Sequence, residues 1–69
     1  MIAAQHEPKL TQRERDIAEL ILTGAANKTI ADRLGITEQS VKNRLTALYR
    51  KFGVGSRLEL VVRLMEPEA

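Results

Sequence analysis

One stretch of the sequence carries polar and basic side chains that can donate directed hydrogen bonds. Lys42, Asn43, Thr46 and Arg50 follow one another at spacings of 1, 3 and 4, which places them on one side of a helix. An Asn amide suits the N6 and N7 edge of adenine and a Lys ammonium suits guanine, whereas Arg44 and Arg50 can reach phosphates. The opposite side of this helix is a predicted buried stripe of Val41, Leu45, Leu48 and Phe52. We therefore expect two turns of the helix to face a groove.

Positive charge is concentrated in the second half of the chain. The 69 residues include 11 Lys and Arg against 9 Asp and Glu, a net charge of +2. Residues 39–65 hold six of the basic residues and only Glu59 as an acid, a local balance of +5. Such one-sided charge is typical of a surface that binds a polyanion. The alternative interpretation is a solvated helix face.

Helix-start and helix-stop signals divide the chain into four predicted helices. Thr11-Gln12-Arg13-Glu14 and Ser56-Arg57-Leu58-Glu59 both have the form of a capping box, in which a hydroxyl and a carboxylate satisfy free backbone N–H groups. The predicted fold class is all-α, a four-helix bundle, because no strand alternation is present. The expected helices lie at about 12–23, in a short segment closed by Gly35, at about 38–52, and from Ser56 to a stop at Glu66-Pro67.

The second and third predicted helices are joined by the short turn Gly35-Ile36-Thr37. A glycine permits the steep angle between two helices over so few residues, which makes the arrangement a helix-turn-helix. Fold alone does not establish function, so the alternative is a small helical adaptor or anti-regulator that does not read DNA. Such an adaptor would be expected to carry apolar anchors on the outward face of the third helix. That face is instead polar and basic.

Composition excludes several classes of protein. The chain has no cysteine, which rules out disulfides and Cys-ligated metals and fits a cytoplasmic location. Apolar runs never exceed four residues, far fewer than a membrane-spanning helix requires. The single His6 has no companion at metal-ligand spacing, and no nucleophile is paired with a base. We therefore expect no enzyme activity, no cofactor and no metal.

A series of cap, turn and core residues runs through the chain in one order: Leu10-Thr11-Gln12-Arg13-Glu14, Gly24, Asn27-Lys28-Thr29-Ile30-Ala31, Leu34, Val41-Lys42, Lys51-Phe52-Gly53-Val54 and Arg57-Leu58-Glu59. In this order and spacing the sequence resembles the LuxR/FixJ-type helix-turn-helix DNA-binding domain, over 55 of the 69 residues. The resemblance implies such a domain at 10–66, with a tail or linker stub at 1–9 and a C-terminal tail at 67–69.

The resemblance also implies a function and a set of contacts. Proteins of this family are bacterial transcription regulators, in which the module usually follows a receiver or ligand-sensing domain, acts with RNA polymerase and binds pseudo-palindromic promoter sites as a dimer. Whether the chain is an excised effector domain or a stand-alone protein is left open. By position in the family pattern, Lys42, Asn43 and Thr46 are expected to contact bases. The expected phosphate contacts are Asn27, Lys28 and Lys51, with Arg44 and Arg50 added by their chemistry.

The sequence departs from the family pattern at two places that bear on DNA binding. The family usually begins the second helix with a Ser-Asn-Lys-Glu capping box, where this chain has Ala26-Asn27-Lys28-Thr29. Loss of such a cap costs about 1 kcal/mol, so we expect this helix to fray. A His is common two residues after Lys42, whereas Arg44 here adds a permanent charge.

The fourth predicted helix is apolar over an arc of about 200°, wider than one core contact requires. Part of it should pack on the bundle and the remainder should meet a partner, for which a two-fold dimer is the commonest solution. We expect Leu58, Val62 and Met65 to form that interface. The alternative is a helix that is merely apolar nearly all round.

A hypothetical ion pair between Glu14 and Arg57 could tie the first helix to the fourth.

Overall fold

The computed structural model describes residues 8–66 as four α-helices. They are α1 (Gln12–Leu22), α2 (Asn27–Leu34), α3 (Glu38–Phe52) and α4 (Arg57–Met65). No β-strand occurs within residues 8–66, so the all-α prediction is confirmed. Most of the predicted N-terminal tail, including His6, and the predicted C-terminal tail lie outside the described residues.

Side chains cap three of the four helices at their N-termini. At α1 the Thr11 hydroxyl accepts from the N–H of Glu14 at 3.1 Å, and the Glu14 carboxylate accepts from the N–H of Thr11 at 2.9 Å. This confirms the first predicted capping box. The Thr37 hydroxyl caps α3 by accepting from the N–H of Ser40 at 3.0 Å. As the sequence indicates, no side chain caps α2 at Ala26.

The second predicted capping box is only half formed. The Ser56 hydroxyl accepts from the N–H of Glu59 at 3.1 Å, as expected for a cap of α4. The Glu59 carboxylate, however, accepts from the N–H of Gly55 at 2.6 Å and not from that of Ser56. The carboxylate thus reaches one residue further back along the chain and fixes the turn between α3 and α4.

The core lies where all four helices meet, with α3 at its centre. The predicted stripe of α3 is buried at Val41, Leu45 and Leu48, while Phe52 is half-buried. Burying one such aliphatic side chain stabilises the fold by about 1.5–3 kcal/mol. Within residues 8–66 the buried apolar residues are Ile17, Ala18, Ile21, Ile30, Ala31, Val41, Leu45, Leu48 and Leu60.

The turn between α2 and α3 depends on a left-handed glycine. Gly35 ends α2 at a φ of 68°, a conformation that a residue with a side chain adopts only with strain. The N–H of Ile36 then donates to the carbonyl of Ala31 at 3.0 Å, which closes the last turn of α2. From α1, Arg13 donates to the carbonyl of Leu34 at 3.4 Å. These contacts hold α2 and α3 at the angle of a helix-turn-helix.

Glu14 is almost completely buried, at 5% exposure, and forms an ion pair that crosses the bundle. Its Oε1 atom accepts from the Lys51 ammonium at 2.7 Å, and the same ammonium donates to the carbonyl of Lys9 at 3.0 Å. The hydrogen bond from Lys51 is the main cause that lowers the pKa of Glu14, against the opposing effect of burial. This pair ties the end of α3 to the start of α1.

The hypothetical ion pair between Glu14 and Arg57 is therefore wrong. The last turn of α3 brings Lys51 to the first turn of α1, so Lys51 is the cation that reaches Glu14. Arg57, at the start of α4, lies beside the start of α2. There its guanidinium donates to the Asn27 side-chain oxygen and to the Ala25 carbonyl, both at 2.6 Å.

Candidate nucleic-acid interface

The outward face of α3 presents the predicted base-contacting residues to solvent. Lys42, Asn43 and Thr46 are all exposed, whereas Val41 and Leu45 beside them are buried. The buried stripe therefore fixes the rotation of the helix about its axis. Arg44, Arg50 and Lys51 are exposed on the same helix, so with Lys42 the α3 helix carries four exposed basic residues.

Hydrogen bonds within α3 determine what two of these side chains can offer a ligand. The Gln39 side-chain amide donates to Asn43 Oδ1 at 3.0 Å, which leaves the Asn43 NH₂ group as a donor. The Thr46 hydroxyl donates to the carbonyl of Lys42 at 3.1 Å, which leaves its methyl group and oxygen lone pairs. Sequence reasoning missed Gln39. Its position one helical turn before Asn43 was the signal that could have revealed it.

The predicted phosphate-contacting residues divide into two groups. Lys28, Arg44 and Arg50 are exposed and form no ion pair with any residue in 8–66. The other two already have protein partners: Lys51 bonds to Glu14 and the Lys9 carbonyl, and half-buried Asn27 accepts from Arg57. The positive charge of Lys51 is thus partly compensated.

The α4 helix exposes a second surface of different chemistry. Leu60 is fully buried, whereas Leu58, Val62 and Met65 are 72%, 51% and 68% exposed. Leu58 and Val62 also line an open groove of about 360 Å³ between α4 and the turn before it. This division confirms that only part of the apolar arc of α4 packs against the bundle.

Two other kinds of feature are absent from residues 8–66. No group of three or more His, Cys, Asp or Glu side chains within 8–66 could hold a metal ion. None of the four helices is long and apolar enough to cross a membrane.

Residues 8–64 match the sequence pattern of GerE, described as bacterial regulatory proteins of the luxR family. The chain belongs to this family. It is therefore a helix-turn-helix DNA-binding domain of transcription regulation, which confirms the resemblance noted in the sequence. The luxR family is a family of DNA-binding regulators and not a class of enzymes.

The domain is similar to several regulators that differ in length. It is 39% identical over 61 residues to the spore germination protein GerE of Bacillus subtilis, covering 88% of this chain and 82% of that protein. It is 40% identical over 62 residues to the transcriptional regulatory protein YdfI of the same organism, covering 90% and 29%. It is 48% identical over 54 residues to the nitrate/nitrite response regulator protein NarL of Escherichia coli, covering 78% and 25%. The chain thus spans less than a third of YdfI and NarL.

Proposed function

We propose that this luxR-family domain places the exposed face of α3 in the major groove of duplex DNA. Lys42, Asn43 and Thr46 contact base edges there, and the exposed Lys28, Arg44 and Arg50 contact phosphates on either side. The observation that carries this proposal is the exposed polar face of α3, which lies on the side of the helix opposite its buried stripe. A helix held from behind by core packing presents its outward side chains in a fixed register.

Asn27 and Lys51 are also proposed phosphate contacts, but both side chains already bond to protein groups. Both are engaged with protein groups, so neither adds a free positive charge at the surface. Asn27 retains its NH₂ group as a donor, and the Lys51 side chain is still 35% exposed. We therefore assign them hydrogen bonds to phosphate, and assign the long-range attraction to Lys28, Lys42, Arg44 and Arg50.

We further propose that two copies of the domain associate through α4. The exposed Leu58, Val62 and Met65 lie on one helix, and a two-fold contact between two such helices buries all of them. A contact of this size gives a weak dimer, with a dissociation constant of about micromolar or higher in the absence of DNA. It would place two copies of α3 in successive major grooves about 34 Å apart, as a pseudo-palindromic promoter site requires.

The setting of the domain is proposed from its relatives. Because YdfI and NarL are more than three times as long as the matched region, a receiver or sensor domain is the proposed N-terminal partner. RNA polymerase is the proposed partner in transcription, and the cytoplasm, where promoters lie, is the proposed location.

The salt dependence of DNA binding tests the proposed function. With four free cations on α3 and the start of α2, log affinity for duplex DNA should fall against log salt with a slope of about −3 to −4 per monomer. Arg44→Gln should make that slope shallower by about 1. Arg63→Gln is the matched control, because the Arg63 guanidinium is engaged with the Phe52 carbonyl at 2.8 Å. A flat salt response would favour the adaptor that does not read DNA.

A further inference from the structure

The Arg57 guanidinium joins the start of α4 to the start of α2. Its two terminal nitrogens donate to two acceptors on either side of the Ala26 N-cap: the Ala25 carbonyl and Asn27 Oδ1, both at 2.6 Å. Arg57 is half-buried, and a planar guanidinium that donates to two acceptors at once is held in one orientation. The start of α2 is therefore held from α4, although α2 has no cap of its own.

This contact also determines which way the Asn27 amide is turned. A side-chain amide has one oxygen that accepts and one nitrogen that only donates. Because Oδ1 faces the Arg57 guanidinium, turning the amide over would bring two donor groups together. The NH₂ group of Asn27 is thus kept away from Arg57, and none of the described residues accepts a hydrogen bond from it. Such a donor complements a phosphate, which has only acceptor oxygens.

We infer that Arg57 is a positioning residue for DNA binding: it holds the Asn27 amide in the orientation that donates to a phosphate. This inference rests on the proposed function, in which Asn27 contacts the DNA backbone. Arg57 itself contacts no DNA in this arrangement, since its guanidinium is committed to α2. As the first residue of α4, Arg57 also connects the helix with the exposed apolar face to the start of the helix-turn-helix.

A purely structural role for Arg57 predicts a different dependence on Asn27. If Arg57 only replaced the missing cap of α2, its removal would weaken DNA binding equally with or without the Asn27 amide. If it positions that amide, its removal has no further effect once the amide is absent. A double-mutant cycle on DNA affinity separates the two roles.

The experiment measures binding of a short random-sequence duplex by the 69-residue chain at low salt. Asn27→Ala and Arg57→Met should each lower affinity by about tenfold or more, the loss expected for a hydrogen bond to a charged group. The double variant should bind no more weakly than Asn27→Ala alone. Arg63→Met is the matched control, because it removes the same charge from α4 and a bond to the Phe52 carbonyl, yet leaves Asn27 untouched.

Two further variants keep the test decisive. Asn27→Asp retains the acceptor for Arg57, so the melting temperature should be maintained while affinity for the duplex falls. Arg57→Lys replaces Arg57→Met in the cycle if circular dichroism shows that the Met variant is unfolded at the assay temperature.

The inference is overturned if the losses of affinity at Arg57 and Asn27 multiply in the double variant, or if Asn27→Ala binds like the wild type. If the wild type itself fails to bind the duplex, the proposed function fails too.

Discussion

The exposed face of α3 is polar and basic, whereas the exposed face of α4 is mainly apolar. Both helices are held in place by the same hydrophobic core. The face of α3 carries Lys42, Asn43 and Thr46 on the side opposite the core, and its side chains offer charge and hydrogen bonds. The face of α4 carries Leu58 and Val62 and offers mainly apolar area. In a domain this small, each helix has one side in the core, so its other side is available for binding. Substitutions can separate the contributions of the two faces.

Loss of core packing should unfold the domain and therefore disrupt the exposed faces of both α3 and α4. Leu45→Ala empties a buried position at the centre of the α3 stripe and should lower the free energy of unfolding by about 2–5 kcal/mol. A domain of this size has little more stability than that, so thermal unfolding followed by circular dichroism should show a large loss or no folded state. Thr46→Ala, on the exposed side of α3, is the matched control and should melt close to the wild type. An unchanged melting temperature for Leu45→Ala would mean that the rotation of α3 is misassigned.

Base reading and phosphate binding should separate within the polar surface. Asn43→Ala should cost about 1–3 kcal/mol on a preferred site selected from random DNA, and little on unselected DNA. Lys28→Ala removes a proposed phosphate contact and should weaken binding to both kinds of DNA alike. Fluorescence anisotropy with the two duplexes measures the difference. Identical specificity profiles for the two variants would contradict the division of roles.

Charge on the apolar face should prevent assembly without affecting the fold. Val62→Glu introduces a carboxylate at a position that is 51% exposed, so the melting temperature should change little. Cooperative binding to a DNA site with two half-sites should be lost, a coupling of typically about 1–3 kcal/mol. Binding to a single half-site provides the control and should be unchanged. If the variant kept the wild-type curve on the double site, α4 would not be the interface.

The smallest effect is expected at the ion pair between Glu14 and Lys51, because the Lys51 side chain is 35% exposed to solvent. Glu14→Gln keeps an oxygen for the Thr11 N–H but loses the charge opposite Lys51, and should lower stability by about 1 kcal/mol at neutral pH. Because folding lowers the pKa of Glu14, its contribution is present above the ordinary value near 4.5 and is lost as pH falls through the lowered pKa. The difference between wild type and variant should therefore shrink in acid. Urea unfolding at a series of pH values measures it, and a constant difference would contradict the role of the charge.

Local patterns predicted the helices because each signal acts over a few residues. The ends of α3 at Thr37 and Gly53 and its buried stripe follow from capping and periodicity alone. Partners of long polar side chains were predicted less well: Glu14 pairs with Lys51, and Glu59 bonds to Gly55. The partner of Glu14 depends on which helix ends meet in three dimensions, about which sequence spacing carries no information, and the partner of Glu59 depends on the conformation of the turn before α4. For the same reason the contact of Arg57 with Asn27, 30 positions apart, could not be predicted.

The length of α3 has a consequence for how the domain sits on DNA. Its 15 residues span about 22 Å, whereas the segment from Lys42 to Thr46 spans only about 6 Å. In the proposed arrangement this central segment lies in the major groove. The last turn of the helix is held by the protein instead: Lys51 is bound to Glu14 of α1, and the ring of Phe52 lies 5.7 Å from the Arg63 guanidinium. We therefore expect one helix to contact DNA near its centre and to be anchored to the domain at its C-terminal end.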